Sequence, residues 1–281
     1  MSVHVLSWVL SEVKQGRRVA VATIISAKGS VPGKPGAKLA INSKMQNFGT
    51  VGGAGLELKI EKKLIELLNE DINLSRKKGG KIETFYLYKD AKGKEGIPLD
   101  SLCGGQVEVS LEIIEPMPHI LIAGGGHVGR CVALIADSLG WDYSIFDVRK
   151  EYSNTDKYPL SNETISMKTN DFLESEDHES IKRFSDILLL GHDWSVDQEL
   201  LLGFLNLRKD ELRPRIGAIG SKSKWKSFKK AAMDDGVREE WFKNARCPIG
   251  IDIGAETPEE IGLAVCAEIL ALERKITHTE N

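Results

Sequence analysis

The sequence predicts two domains of mixed α/β class, a small α+β domain at 1–115 and a doubly wound parallel sheet at 119–281. Three observations predict this. The chain has 281 residues, more than one ordinary domain of roughly 100–200 residues. The stretch Glu115-Pro116-Met117-Pro118 is a stiff break that neither a helix nor a central strand tolerates. Beyond it, short apolar strands alternate with helical patterns, the signature of a parallel sheet covered on both faces.

Composition narrows the function classes. Charged residues make up 28% and hydrophobic ones 41%, so each half can bury a core. Lys and Arg (38) nearly balance Asp and Glu (41), and no basic stretch is interleaved with aromatics, so nucleic acid is not an expected partner. Apolar runs such as His119–Ala123 fall far short of the ~20 residues of a membrane span, and the N-terminus lacks a signal-peptide pattern, so a cytoplasmic protein is expected. Cys103, Cys131, Cys247 and Cys266 are scattered without CxxC spacing, which indicates neither a disulfide framework nor a zinc site. Cys131 and Cys266 lie in apolar helical patterns and read as core.

In the first half, Val3, Leu6, Val9, Leu10 and Val13 repeat at helical spacing, with Gly16 where a C-cap glycine ends the helix. Strand-like runs follow at Val19–Ile25, Ala37–Ile41 and Phe48–Val51, then a helix over Leu56–Leu68, a lysine-rich solvated loop over Ser75–Lys81, and strands at Ile82–Tyr88 and Gln106–Ile114. In the last of these Val107, Val109 and Leu111 point inward. Two glycine-rich segments, Gly29-Ser30-Val31-Pro32-Gly33 and Gly49-Thr50-Val51-Gly52-Gly53-Ala54-Gly55-Leu56-Glu57, read either as hairpin turns or as clusters of exposed N–H donors for an anion. Cys103 stands beside Gly104 and Gly105 at the entry to a strand, an accessible position from which a thiolate can hold a soft metal or a persulfide.

In the second half, strands are expected at His119–Ala123, Tyr143–Phe146, Thr164–Met167, Ile187–Leu190 and Arg215–Ile219. The first runs into Gly124-Gly125-Gly126-His127-Val128-Gly129 and then a helix over Arg130–Leu139. Strand, GxGxxG turn and helix in this order form the dinucleotide fingerprint of a Rossmann domain, in which backbone N–H groups and the helix dipole receive a pyrophosphate. The expected acid at the end of the second strand is Asp147, 18 positions past Gly129 (147 − 129), placed to accept from a ribose hydroxyl. His127 and Arg149 are extra to that fingerprint. His192 and Asp193 follow the Ile187–Leu190 strand and face the ligand crevice as acid/base or contact candidates, or else Asp193 or Ser195 caps the next helix. Gly217, Gly220 and Ser221 form another strand-end turn, and Thr257-Pro258-Glu259-Glu260 reads as a capping box opening the last helix.

Seven blocks together resemble the XdhC/CoxI family of xanthine dehydrogenase accessory proteins. They are Gly29-Ser-Val-Pro32 with Gly36-Ala37; Gly49-Thr-Val-Gly-Gly53 with Glu57; Leu102-Cys-Gly-Gly105; Gly124-Gly-Gly-His-Val128; Asp147-Val-Arg149; Gly217-Ala-Ile-Gly-Ser221; and Pro248 through Glu260. The resemblance covers almost the whole chain. It implies a factor that binds molybdenum cofactor (molybdopterin), supports its sulfuration with sulfur from a cysteine desulfurase, and hands it to a xanthine dehydrogenase-type molybdenum hydroxylase. Cys103 matches the family cysteine associated with the cofactor and becomes the molybdenum-ligand candidate, with Gly104, Gly105, Gly52, Gly53 and Ser30 around it. Two positions depart from the family pattern: Gly33 stands where arginine is common, with Lys34 next to it, and Gly55 stands where cysteine is common. Two other readings stay open, an NAD(P)-dependent oxidoreductase built on Gly124–Gly129, Asp147 and His192, and a ligand-free scaffold for the partner enzyme. A homodimer is expected from the prevalence of symmetric oligomers.

Overall fold

The computed structural model describes residues 2–70, 79–87, 97–98, 104–209, 211 and 213–274, and the chain divides into two compact units, Met1–Pro116 and Met117–Asn281. The first contains α1 (Ser2–Lys14), β1 (Val19–Gly29), β2 (Lys38–Asn42), β3 (Asn47–Thr50), α2 (Ala54–Asn69), β4 (Lys81–Tyr86), β5 (Ile97–Pro98) and β6 (Gly105–Ile114). Its sheet runs β3-β2-β1-β6-β4-β5, antiparallel except for the β4–β5 pair. Leu56, Ile60 and Leu64 of α2 pack on one face against Ala22, Ile24, Val107 and Val109. Val107, Val109 and Leu111 are buried, as their alternation predicts.

Helix α1 forms where expected but turns a different face inward. Val3, Leu6 and Leu10 are exposed, while Val5 and Val9 are buried against Val19, Val21 and Ala40. Apolar residues occur nearly all round this helix, so periodicity alone does not select a face. Its rotation is fixed by Glu12, buried in the fold and bonded to Asn42 (2.6 Å) and Arg17 (2.7 Å). Part of the expected lysine-rich loop (75–78) and the end of the expected strand at Tyr88 lie outside the described residues.

The second unit contains β7 (His119–Ala123), α3 (His127–Leu139), β8 (Asp142–Phe146), β9 (Glu163–Ile165), α4 (Thr169–Ser175), β10 (Asp186–Leu189), α5 (Trp194–Arg208), β11 (Arg215–Ala218), α6 (Lys222–Asp234), β12 (Ala245–Arg246) and α7 (Pro258–Glu273). All its strand pairs are parallel, in the order β12-β11-β10-β7-β8-β9. Numbered from β7, this is the Rossmann order, with the topological switch between β7 and β10. Alternate strand residues feed two cores. Leu121, Phe146, Ile187 and Ile216 meet Phe172 of α4 and Leu200 and Phe204 of α5, whereas Ile120, Ile122, Ile145 and Leu188 meet Val132 of α3 and Val265 and Ile269 of α7. Helices α3 and α7 touch at Gly262, where a Cβ would stand 2.9 Å from that of Cys131. Cys266 is buried, but Cys131 is only half-buried, because the α3–α7 seam covers just one side of it. The capping box forms as predicted, with Thr257 and Glu260 bonded reciprocally.

Candidate functional site

The chain leaves β7 through the glycine loop at the carboxyl edge of the parallel sheet. Gly125 is the tightest point. A Cβ there would lie 1.8 Å from the Tyr152 carbonyl oxygen, so only glycine fits beneath that segment. The Gly125 carbonyl accepts from Tyr158 Oη (2.8 Å) and Lys157 Nζ (2.9 Å), and its N–H donates to Asp147 Oδ2 (3.1 Å). Gly126, by contrast, is open, with no atom within 4 Å of a built Cβ; it caps α3, and His127 opens that helix with an exposed side chain.

Asp147 is buried at the end of β8. Arg149 donates to its Oδ1 from the backbone N (3.0 Å) and Nε (2.9 Å), and to its Oδ2 from Nη2 (3.0 Å). Burial alone pushes the Asp147 carboxyl up, but the Arg149 bonds and charge, with the Gly125 N–H, outweigh it and hold the carboxyl below its usual range. The Arg149 guanidinium lies over Tyr152, 3.9 Å from the ring centroid, and the Lys157 ammonium lies 4.3 Å from the same ring.

Across the switch point, Gly191, His192, Asp193 and Asp197 face Gly124, Asp147 and Arg149 around a crevice of about 50 Å³. That volume is far below the ~300–1,000 Å³ of enclosed ligand pockets, so a nucleotide would lie across this edge rather than inside it. His192 is exposed at the rim. Asp193 is the N-cap of α5, accepting from the Ser195 N–H (2.9 Å); of the two readings, the capping one describes its bonds. Ser221 likewise caps α6. Asp197, fully buried, accepts from Gly191 N (3.0 Å) and Lys224 Nζ (3.1 Å). Burial raises its pKa, and Lys224 offsets only part of that.

In the first unit, three sequence-distant turns meet. Gly29 pairs with Gly105 in the β1–β6 ladder, and the Ser30 N–H donates to the Gly104 carbonyl (3.2 Å). Pro32 lies on Gly52 and Gly53, both at positive φ, where added Cβ atoms would come within 2.7 Å of Pro32 O and 2.5 Å of Pro32 Cγ. Beside this junction Pro32, Gly33, Lys34, Lys38, Thr50 and Gly52 line a cleft of about 460 Å³, within the ~300–1,000 Å³ of ligand pockets. The turn amides are less free than an anion-cradle reading expects. Ser30 N is bonded as above, Gly52 N donates to Thr50 Oγ1 (3.1 Å), and Val51 N to the Glu57 carboxylate (3.3 Å), which Thr50 Oγ1 also approaches closely. The cations lining the cleft are Lys34 and Lys38, the Lys38 ammonium donating to Thr23 Oγ1 (2.8 Å), while the Glu57 carboxylate holds the Thr50–Val51 edge. Cys103 lies outside the described residues. Among the described residues no cluster of His, Cys, Asp and Glu is arranged to hold a metal ion, and no helix is long and apolar enough to cross a membrane.

Sequence reasoning found the glycine loop, Asp147 and Arg149 but missed Tyr152, Lys157, Tyr158 and Lys224. Tyr152, Lys157 and Tyr158 reach the site through the β8–β9 connection, which carries no periodic signal, and Lys224 reaches Asp197 from the first turn of α6.

Known proteins share both halves of this architecture. The XdhC Rossmann domain family matches residues 120–269, and the XdhC and CoxI family matches residues 12–74. An uncharacterized protein of Escherichia coli (strain K12), YqeB, is 27% identical over 254 residues, 90% of this chain and 43% of that protein. A probable xanthine dehydrogenase subunit from Bacillus subtilis (strain 168) is 23% identical over 169 residues, 59% of this chain and 46% of that protein. The chain thus matches less than half the length of either curated relative. A crystal structure of a xanthine dehydrogenase from Bacillus halodurans aligns over 100% of this chain and 98% of its own, at 18% identity and a TM-score of 0.48. With one domain family spanning the parallel sheet and its companion covering β1 through α2, the chain belongs to the XdhC and CoxI family.

Proposed function

We propose that this chain is an accessory factor for a xanthine dehydrogenase-type molybdenum hydroxylase, binding molybdenum cofactor in its first unit and supporting the cofactor's sulfuration and insertion. The observation that carries the reading is the meeting of Ser30, Gly52, Gly53, Gly104 and Gly105 beside a cleft of about 460 Å³. The donor set suits the group. The cleft is of ligand size, Lys34 and Lys38 supply positive charge for an anionic phosphate, and Cys103 stands next to Gly104 in the chain to offer a thiolate to a soft metal. When bound, the cofactor would supply a molybdenum dithiolene as the centre that receives sulfur. In this reading the protein's part is to hold it, shield it from water and release it, and the sulfur source is a cysteine desulfurase. Membership in the family and the likeness to a probable xanthine dehydrogenase subunit support the choice of client.

Anaerobic titration of the purified full chain with molybdenum cofactor tests the reading. Tight binding that is lost in Cys103→Ala and weakened in the Lys34→Ala, Lys38→Ala double variant is expected. Absence of binding, or binding indifferent to Cys103, overturns it.

A further inference from the structure

The crevice of the second unit brings Asp147 and Arg149, at the end of β8, together with Gly124 of the glycine loop. In the generic fingerprint the acid after the second strand recognises the ribose by accepting from its hydroxyls. Asp147 is not free to do so. Its two oxygens already receive four donors, Arg149 N and Nε on Oδ1 and Arg149 Nη2 and Gly125 N on Oδ2, and a carboxylate has about four lone-pair positions in all. A ribose diol would have to displace charge-assisted bonds, the strong class.

Arg149 has capacity left. Its Nη1 hydrogens and the second Nη2 hydrogen have no acceptor among the described residues, the side chain is 29% exposed, and it lines the crevice. Bidentate pairing with Asp147 on one edge and Tyr152 against its face fix the guanidinium plane, which leaves the outer fork pre-organised. Lys157 shares the Tyr152 ring and reaches the glycine loop. Two cations and one fully engaged carboxylate at the ribose end of a Rossmann crevice match a phosphate better than a neutral diol.

We infer that this crevice takes a 2′-phosphorylated dinucleotide, the NADP(H) class, with Arg149 as the specificity-determining residue and Asp147 as the positioning residue that aims it. The phosphate meets the outer edge of Arg149, and the pyrophosphate lies over the open backbone at Gly126.

Equilibrium titration of the full chain with NADPH and NADH, and with adenosine 2′,5′-bisphosphate and AMP as probes of the ribose end alone, tests this. The 2′-phosphorylated member of each pair should bind at least roughly tenfold tighter. Arg149→Met should erase that ratio while leaving the weaker NADH binding in place. Arg149→Lys should keep part of it, and Asp147→Asn should reduce the ratio by loosening the fork without removing the cation; thermal melts of each variant verify folding. NADH binding as tightly as NADPH, a ratio that survives Arg149→Met, or no binding of any of the four overturns the inference. None of these outcomes depends on whether the first unit binds molybdenum cofactor, so the two readings fail separately.

Discussion

Asp186 and Arg215 meet at the first residues of two adjacent parallel strands, β10 and β11, with Arg215 Nε 2.9 Å from Asp186 Oδ1. The pair is buried, and Arg246 (3.2 Å) joins Asp186 while Glu273 (2.6 Å) joins Arg215. Burial alone would raise the Asp186 pKa, but Arg215 and Arg246 hold it below the ordinary carboxylate value. This network lies at the amino edge of the sheet, opposite the crevice. Asp186→Ala removes the carboxylate that Arg215 and Arg246 share, leaving them only Glu273 and Glu268, and about 3–5 kcal/mol of stability should be lost. Urea unfolding measures it; a loss under 1 kcal/mol would show that water replaces the carboxylate.

The glycines of the loop look equivalent in sequence and are not equivalent in space. Gly125→Ala puts a methyl group into the Tyr152 carbonyl oxygen and should cost about 1–3 kcal/mol. Gly126→Ala meets no atom within 4 Å and should leave stability within ~0.5 kcal/mol, while a methyl group on the pyrophosphate path weakens nucleotide binding. Parallel melts and NADPH titrations of the two variants separate the effects.

The two departures from the family pattern differ in the same way. At Gly55, the second residue of α2, a built Cβ meets no atom within 4 Å. Gly55→Ala should raise stability by up to ~1 kcal/mol through helix propensity, and Gly55→Cys should fold normally. At Gly33 the same atom would lie 2.2 Å from Val51 O and 2.3 Å from Ile24 Cδ1, so Gly33→Arg should destabilise the first unit. Chemical denaturation of each variant checks the contrast; equal effects would refute it.

Tyr158 sets an alkaline limit. Burial pushes its phenol from 10.0 up to about 12, consistent with the hydroxyl donating to Gly125 O (2.8 Å). The folded protein therefore holds this proton more tightly than the unfolded chain. Its contribution, of order 2 kcal/mol, is fully present below the unfolded value and is lost as pH rises from about 10 toward about 12. Tyr158→Phe should flatten the stability profile in that window; an unchanged slope would assign it to other groups.

The second unit was largely legible in the sequence, because strands buried on both faces read as short apolar runs and the glycine loop, Asp147 and the Thr257 capping box carry local signatures. Strands β5 and β12 were not, since two residues each give no period. The rotation of α1 was hidden because its apolar residues surround the axis and the choice falls to the tertiary bond between Glu12 and Asn42. The site was legible in its backbone and not in its side-chain bonding. Asp147 was found, but its saturation by Arg149 depends on a rotamer, and the approach of Tyr152, Lys157 and Tyr158 to Gly125 depends on how the β8–β9 connection folds back. Glu57 was noted as a motif residue, yet nothing local announced that it would turn onto the Val51 amide.

The pairing of Gly29 with Gly105 joins positions 76 residues apart (105 − 29). Strand β1 can zip to β2 while most of the unit is still unmade, but the junction of Ser30, Gly52 and Gly104 waits for β6 to arrive. Closing a loop of that length costs conformational entropy that the β1–β6 ladder must offset. The cleft residues Pro32 to Lys38 and Thr50 to Gly52 all lie ahead of β6 in the chain, while the bond that ties their neighbour Ser30 down is made to the Gly104 carbonyl, at the entry to β6.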